Sequence, residues 1–147
     1  MQPPSTLPLK GQELLKQFEK ISGYPYNKQS VKTMNSYILY NDSIGAFIRA
    51  ANANNNCASA CSKAAYSEIM TECIRLNMEC AAICHNAAQL MGVGSSKLKE
   101  ICGICAYMCE QCANECSKHD NAYCQQCAEA TRACLYECRK LTMAAAA

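Results

Sequence analysis

The chain has 147 residues, 14 of them cysteine, a net charge of +2 and a pI near 7.9. This length suggests one domain with a core of its own, and the charge excludes the strongly basic surface of nucleic-acid-binding proteins. The longest apolar runs fall far short of the ~20 residues that a membrane-spanning helix needs.

The first 42 residues are predicted to form an N-terminal extension that is partly helical. Apolar residues recur at helical spacing in GQELLKQFEKI (11–21) and again in residues 28–40. The NDS triplet at 41–43 offers an N-cap, so either a new helix begins there or one long helix runs on to about residue 62. The first residues, MQPPSTLPLKG, lack the pattern of a secretory signal. We therefore expect a cytoplasmic protein; the alternative is an exported one whose signal is absent from this sequence.

Four helices are predicted after the extension, over residues 43–61, 67–91, 96–117 and 122–143. Gly92 and Gly94 end the second, Asp120 or Asn121 caps the fourth, and a disordered tail is expected at 144–147. Short links between helices of this length imply antiparallel neighbours. The sequence thus predicts an all-α fold: an antiparallel up-down four-helix bundle over 43–143 with a cysteine-lined core and an N-terminal helical extension.

The cysteines recur at helical spacing. In CGICAYMCEQCANEC (102–116) five cysteines are separated by steps of 3, 4, 3 and 4, which places them on one face of a helix. The other three helices carry the remaining nine at the same kind of spacing. Because a bundle turns such a stripe inward, the core is predicted to consist of Cys57, Cys61, Cys73, Cys80, Cys84, Cys102, Cys105, Cys109, Cys112, Cys116, Cys124, Cys127, Cys134 and Cys138.

Facing stripes of thiols form adjoining sites of two or three sulfurs. Thiolate ligands select soft metals, and Cu(I) is the natural candidate. Since a thiolate bridges two metals, fourteen cysteines hold about ten or more Cu(I) ions by ligand counting. The sequence therefore predicts a store of multiple Cu(I) ions and not an enzyme, because no nucleophile–base pair or phosphate-binding loop accompanies the cysteines.

Core packing, zinc binding and disulfides account for the cysteine pattern less well. Cysteine packs as a small apolar residue, but fourteen on one seam exceed what packing requires. Closed zinc sites draw four ligands from turns, and disulfides within a regular helix are strained. The alternative function is an iron–sulfur electron-transfer protein, since CxxC and CxxxC recur, although the ferredoxin run C-x2-C-x2-C-x3-C-P is absent.

The segment from Cys73 to Leu141 resembles the four-helix, cysteine-rich copper storage proteins of bacteria, and most closely their cytosolic branch. The resemblance rests on CIRLNMECAAIC (73–84), CGICAYMCEQCANECSKHD (102–120) and CQQCAEATRACLYECRKL (124–141). It implies Cu(I) bound by the inward cysteines, a homotetramer, and a role in copper storage or detoxification. A copper chaperone or efflux protein is the candidate partner, with no nucleic-acid or membrane partner.

The sequence departs from this family at several stripe positions. On the first helix, family members usually carry cysteine at the positions that are Phe47, Ala50 and Asn54 here. On the fourth helix, Thr131 occupies a position where family members often have cysteine. The missing cysteines of the first helix imply fewer metal sites at one end of the bundle. Asn77 lies within the stripe of the second helix, either as a hydrogen-bonded core residue or, as the resemblance suggests, as an amide-oxygen ligand of copper.

Three further residues are candidates for assisting metal uptake. His119 lies in the turn before the fourth helix, and Met70 and Met91 flank the cysteines of the second. An exposed turn histidine and two core-packing methionines are the alternatives.

Overall fold

The computed structural model describes residues 28–63, 65 and 67–146, together with residues 13, 16, 17, 19–21 and 23; within the helices, side chains are described from residue 39 to residue 143. Four helices account for most of this chain: α1 (Lys28–Lys63), α2 (Thr71–Gly92), α3 (Leu98–Cys116) and α4 (Ala122–Ala146). Most of the predicted extension before residue 28 lies outside the described residues. The described positions between 13 and 21 are helical, as expected for 11–21.

Helix α1 is continuous across the NDS segment. Of the two possibilities raised by the sequence, a new start and a long helix, the second is confirmed, because α1 spans Lys28–Lys63 without a break. Ser43 does not cap a helix; its hydroxyl donates a hydrogen bond of 2.8 Å to Glu137 Oε2 of α4. A residue with capping chemistry therefore ties α1 to α4 instead.

The predicted stop after α2 is confirmed as a Schellman motif. Gly94 adopts a left-handed φ of +66°, its N–H donates to Met91 O at 3.1 Å, and Ser95 N–H donates to Leu90 O at 2.9 Å. These bonds satisfy carbonyls that the end of a helix leaves free. The start of α2 lies four residues later than predicted, at Thr71, because residues 67–70 form a turn.

The ends of α4 combine a confirmed cap with a longer helix than expected. Asn121 Oδ1 accepts a hydrogen bond of 2.9 Å from Cys124 N–H, so Asn121 is the N-cap. At the other end the helix runs to Ala146, past the predicted stop at Met143. Residues 144–146 are alanines, the strongest helix formers, and they continue α4 where a disordered tail was expected.

The four helices form a closed ring. Helix α1 packs on α2 and α4, and α3 packs on the same two helices. Since short turns join successive helices, neighbours run antiparallel, which confirms the predicted up-down bundle. Among the described helices, none combines the length and the apolar character needed to cross a membrane.

The interior of the ring is lined mainly by cysteine and alanine. All fourteen cysteines are buried and unpaired by disulfides, so the predicted inward stripes are confirmed. The buried exceptions of larger volume are the apolar residues Phe47, Met70, Leu76 and Met91, together with the polar residues Asn54, Asn77 and Thr131. The fold thus brings sulfur from all four helices into one shared core.

Candidate metal centre

The first sulfur cluster lies where α1 ends and α4 begins. Cys124 Sγ is 3.4 Å from Cys57 Sγ, 3.8 Å from Cys61 Sγ and 3.9 Å from Cys73 Sγ. All four Sγ atoms lie within 4.8 Å of one another. Three helices therefore direct four thiols at a volume of the size that one soft metal ion requires.

A second cluster surrounds Cys84 toward the opposite end of the bundle. Its Sγ lies 3.7 Å from Cys105 Sγ, 3.9 Å from Cys109 Sγ and 3.7 Å from Cys134 Sγ. These four Sγ atoms again lie within 4.8 Å of one another. Cys80 adjoins this cluster at 3.9 Å from Cys84 Sγ, so the sulfur lining continues beyond any four-ligand site.

A third group shares a sulfur with the first. Cys57, Cys116 and Cys127 have Sγ atoms within 4.8 Å of one another, and Cys57 also belongs to the Cys124 cluster. Cys112 Sγ extends the group at 3.9 Å from Cys116 Sγ. A thiol that belongs to two groups is placed to bridge two metal ions, which isolated four-ligand sites do not require.

Asn77 is fully buried among these sulfurs. Its Nδ2 donates to Cys73 O at 2.7 Å and approaches the Sγ atoms of Cys73 and Cys116 at 3.3 Å each. Its Oδ1 accepts from the Cys127 thiol at 2.8 Å. The residue is thus hydrogen-bonded, as a core amide must be, and its oxygen also faces the thiols.

Asn54 and Thr131 face Asn77 across the core, also fully buried. Asn54 Oδ1 accepts from the Cys127 thiol at 2.8 Å and from Thr131 Oγ1 at 3.3 Å. Asn54 Nδ2 has no hydrogen-bond partner in the described part of the chain. Sequence reasoning identified both residues as missing cysteines but did not place them beside Asn77; the signal was that all three interrupt stripes near mid-helix.

The thiols differ in their affinity for protons. Burial, reinforced by the charge of nearby Cys138, raises the pKa of Cys102 to about 12. Hydrogen bonds from neighbouring thiols, first from Cys105, lower the pKa of Cys84 to about 6. Cys116 likewise has a lowered pKa, chiefly because Cys112 donates to it. In the Cys84 cluster, one thiol with a lowered pKa therefore lies among Cys105, Cys109 and Cys134, whose pKa values are raised by hydrogen bonding and burial.

The Cys124 end carries polar side chains at its margin. His119 lies in the α3–α4 turn with Nε2 3.2 Å from Glu115 Oε1, and Asn121 Nδ2 contacts Cys124 Sγ at 3.2 Å. Met70 is buried at this end, beside the start of α2. The structure thus places His119 and Met70 near the same end of the core, whereas the contact of Asn121 with a cysteine was missed because its cap position explained it fully.

At the Cys84 end, α1 contributes no cysteine to the lining of the core. Phe47 and Ala50 are fully buried there, and Met91 of α2 is buried with them in one hydrophobic cluster. Tyr40, partly buried, has a raised pKa through burial and through the charge of Cys102. The cysteines of α1 are accordingly confined to the Cys124 end, as the substitutions in the first stripe predicted.

Comparison with known proteins agrees with this architecture. The family model described as "Copper storage protein" matches residues 38–143. The cysteine-rich protein YhjQ of Bacillus subtilis (strain 168) is 42% identical over 98 residues, covering 67% of this chain and 91% of that protein.

Two solved structures are similar in both sequence and fold. The Cu(I)-bound copper storage protein BsCsp3 of Bacillus is 40% identical with a TM-score of 0.68, over 70% of this chain and 97% of that one. A cytosolic copper storage protein from Streptomyces lividans with five coppers is 31% identical with a TM-score of 0.67, over 69% and 89% of the two chains. The chain described here therefore belongs to the copper storage protein family.

Proposed function

We propose that the protein stores multiple Cu(I) ions as cargo, bound by the thiolates of its fourteen core cysteines. The observation that carries this proposal is the sharing of sulfurs between clusters, with Cys57 belonging to two groups whose Sγ atoms lie within 4.8 Å of one another. Four converging thiols alone would also suit zinc or an iron–sulfur cluster. A lining whose neighbouring clusters share sulfurs suits a soft metal that bridged thiolates bind in series.

Storage fits the burial of the sulfurs better than catalysis does. All fourteen cysteines are buried, so an ion held between them presents no open side to a substrate, in contrast to a catalytic metal site, which keeps an open position. By ligand counting, with each thiolate bridging two ions, the core holds about ten or more Cu(I). Keeping so many ions away from other cellular ligands would protect the cell from copper toxicity.

The relatives support the metal and the compartment. One is a Cu(I)-bound storage protein and another is a cytosolic storage protein with five coppers. A reducing cytosol would keep the thiols free for metal, so this chain acts there. A copper chaperone or an efflux protein is the partner that exchanges copper with it.

Residues 43–143 form the storage unit, and residues 1–42 are an extension to it. The family match over 38–143 supports a boundary in this region. Asn77 belongs to the proposed metal-binding set because its amide lies between the Sγ atoms of Cys73, Cys116 and Cys127. His119 and Met70, at the margin of the same end, assist uptake.

The protein assembles as a homotetramer. The outer face of α3 and α4 exposes Ile104, Tyr107 and Tyr136 by 53%, 62% and 67%. Aromatic and aliphatic side chains exposed together are typical of surfaces that become buried in an oligomer. Light scattering of the wild type and of Tyr107→Ser tests this assembly: the wild type is expected at four chains and the variant at fewer.

Anaerobic titration with Cu(I) against a competing chelator, with metal counting, tests the storage function. We expect a colourless protein that binds about ten or more Cu(I) per chain, from the coordination preference of bridged thiolates. Tyr107→Ser is the matched control, since its side chain lies outside the core and its capacity should equal that of the wild type. Binding of fewer than about three Cu(I) would contradict storage, and brown protein containing iron would establish the iron–sulfur alternative.

A further inference from the structure

We infer that the storage core is two metal compartments separated by a polar layer rather than one continuous tube; this rests on the proposed Cu(I) storage. The polar layer consists of Asn54, Asn77 and Thr131. The Cys124 compartment on one side contains Cys57, Cys61, Cys73, Cys112, Cys116, Cys124 and Cys127. The Cys84 compartment on the other side contains Cys80, Cys84, Cys105, Cys109 and Cys134, with Cys102 and Cys138 one turn farther from the layer on α3 and α4.

The twelve sulfur–sulfur contacts of 3.9 Å or less each fall within one compartment or the other. The six sulfur–sulfur contacts on the Cys124 side, of 3.4 to 3.9 Å, join members of that compartment. The six on the Cys84 side, of 3.7 to 3.9 Å, join members of the other. Cys80 and Cys112 are hydrogen-bonding neighbours across the boundary, so these two thiols mark where the compartments approach. Bridged Cu(I) clusters grow through neighbouring sulfurs, so the close contacts define two separate growth units.

The polar layer fills the positions that would otherwise connect the two. Asn54, Asn77 and Thr131 occupy the stripes of α1, α2 and α4, and each is fully buried. The oxygens of Asn54 and Asn77 both lie 2.8 Å from Cys127 Sγ and 3.5 Å from Cys112 Sγ. An amide or hydroxyl oxygen is a weaker ligand than a thiolate for a soft ion, so the Asn77 amide completes a site at the edge of the Cys124 compartment while the layer does not carry copper across.

The side-chain nitrogen of Asn54 has no hydrogen-bond partner among the described residues, and this allows the polar layer to persist when copper is bound. In the metal-free core the Cys127 thiol donates toward both amide oxygens. A Cys127 thiolate has no proton to donate, and two carbonyl oxygens at this distance would repel it. Asn54 Nδ2, buried without a partner among the described residues, supplies the missing donor if the amide rotates about its side-chain bond.

The compartments differ in access. The cysteine with the greatest exposure is Cys61, at 3%, in the Cys124 compartment. The Cys84 compartment is closed on the α1 side by Phe47 and Ala50, which are fully buried. Copper therefore fills the Cys124 compartment first, and the polar layer delays its passage to the Cys84 compartment.

Two matched sets of substitutions test the division. One variant replaces Cys84, Cys109 and Cys134 with alanine, and the other replaces Cys57, Cys116 and Cys124 with alanine. We expect each to lose about half of the Cu(I) capacity and to leave the affinity of the remaining ions within about twofold of wild type, because each compartment binds without the other. A more than tenfold loss of affinity for all remaining ions in either variant would overturn the division.

Backbone NMR of the wild-type protein provides a second test that does not depend on the folding of the variants. With about four Cu(I) added per chain, we expect shifts at residues of the Cys124 compartment and unchanged signals around the Cys84 compartment. Shifts on both sides of the layer at every metal ratio would overturn the proposal. The double variant Asn54→Cys/Thr131→Cys, which restores sulfur to the layer, should abolish this separation.

The same titrations distinguish failure of the storage function from failure of the division. Wild-type protein that binds fewer than about three Cu(I) ions contradicts the storage function itself. Wild-type protein that binds about ten ions, with losses spread over every remaining site in both triple-alanine variants, retains the storage function and contradicts only the two compartments.

Discussion

The two ends of the bundle hold the same number of cysteines but are enclosed differently. At the Cys124 end all four helices direct thiols inward, and Cys57 and Cys61 of α1 take part. At the Cys84 end α1 supplies Phe47 and Ala50 instead, both fully buried. One helix therefore ligates metal in one half of the core and closes the other half with apolar packing.

Because of this difference between the two ends, α1 is expected to contribute to metal binding at one end and to stability at the other. Thiols are small, so a core of cysteine and alanine buries little volume per residue, and a large side chain contributes disproportionately to packing. Phe47, with Met91, is among the largest fully buried side chains. We expect the half without α1 sulfur to contribute most to the stability of the metal-free bundle.

The largest effect is expected from Phe47→Ala. Removing a fully buried phenylalanine should lower the free energy of unfolding of the metal-free protein by about 3–5 kcal/mol, from lost burial and the cavity left behind. Urea unfolding under anaerobic conditions measures it. Ile48→Ala, one position along the same helix and 41% exposed, is the control, with an expected change of about 0.5 kcal/mol or less. Equal losses in the two variants would contradict the closing role of Phe47.

A second prediction concerns the metal-free state. Because neutral thiols pack as small apolar groups, the bundle should be helical before any metal is added. Circular dichroism of the reduced apo protein is expected to match that of the loaded protein closely. A large gain of helix on loading, as in zinc fingers that fold only with metal, would contradict a preformed core.

The high pKa of Cys102 predicts a loss of stability in alkali. The ordinary thiol pKa is 9.0 and burial raises that of Cys102 to about 12. Between these values the unfolded chain releases the proton while the folded chain keeps it, so the stability due to this group falls as pH rises. For this one group, the free energy of unfolding is expected to fall by about 1.4 kcal/mol per pH unit above pH 9. Urea unfolding of the apo protein at pH 8, 9 and 10 measures it.

Cys102→Ala isolates the contribution of this one thiol to the alkaline slope. The remaining thiols are unchanged in the variant, so the difference between the two slopes belongs to Cys102. Identical slopes in the variant and the wild type would show that Cys102 ionises normally in the folded protein.

The smallest effect is expected at the margin of the Cys124 end. Asn121→Ala removes the N-cap of α4 and the contact with Cys124 Sγ. Loss of a capping side chain costs about 1 kcal/mol, which thermal unfolding of the apo protein measures. Asn121→Asp, which retains a capping oxygen, should recover most of this stability; equal destabilisation by both variants would contradict the capping role.

Local features of the chain were predictable from the sequence, and features that depend on register between helices were not. The cysteine stripes, the glycine stop at Gly94 and the cap at Asn121 each depend on residues within a few positions of one another. The polar layer depends on how far α1, α2 and α4 slide along one another, which no single stripe encodes. Ser43 shows the same limit, since its hydroxyl hydrogen-bonds Glu137 of α4, a residue far away in sequence, and does not cap the backbone of its own helix.

Anomalous scattering at the copper absorption edge, from crystals of the fully loaded protein, tests Cu(I) storage in the core most directly. We predict about ten or more copper peaks along the core axis, each between cysteine sulfurs, by the thiolate preference of Cu(I), with a gap at the level of Asn54 and Thr131. Copper confined to one or two sites, or bound mainly on the outer surface of the bundle, would contradict storage in the core.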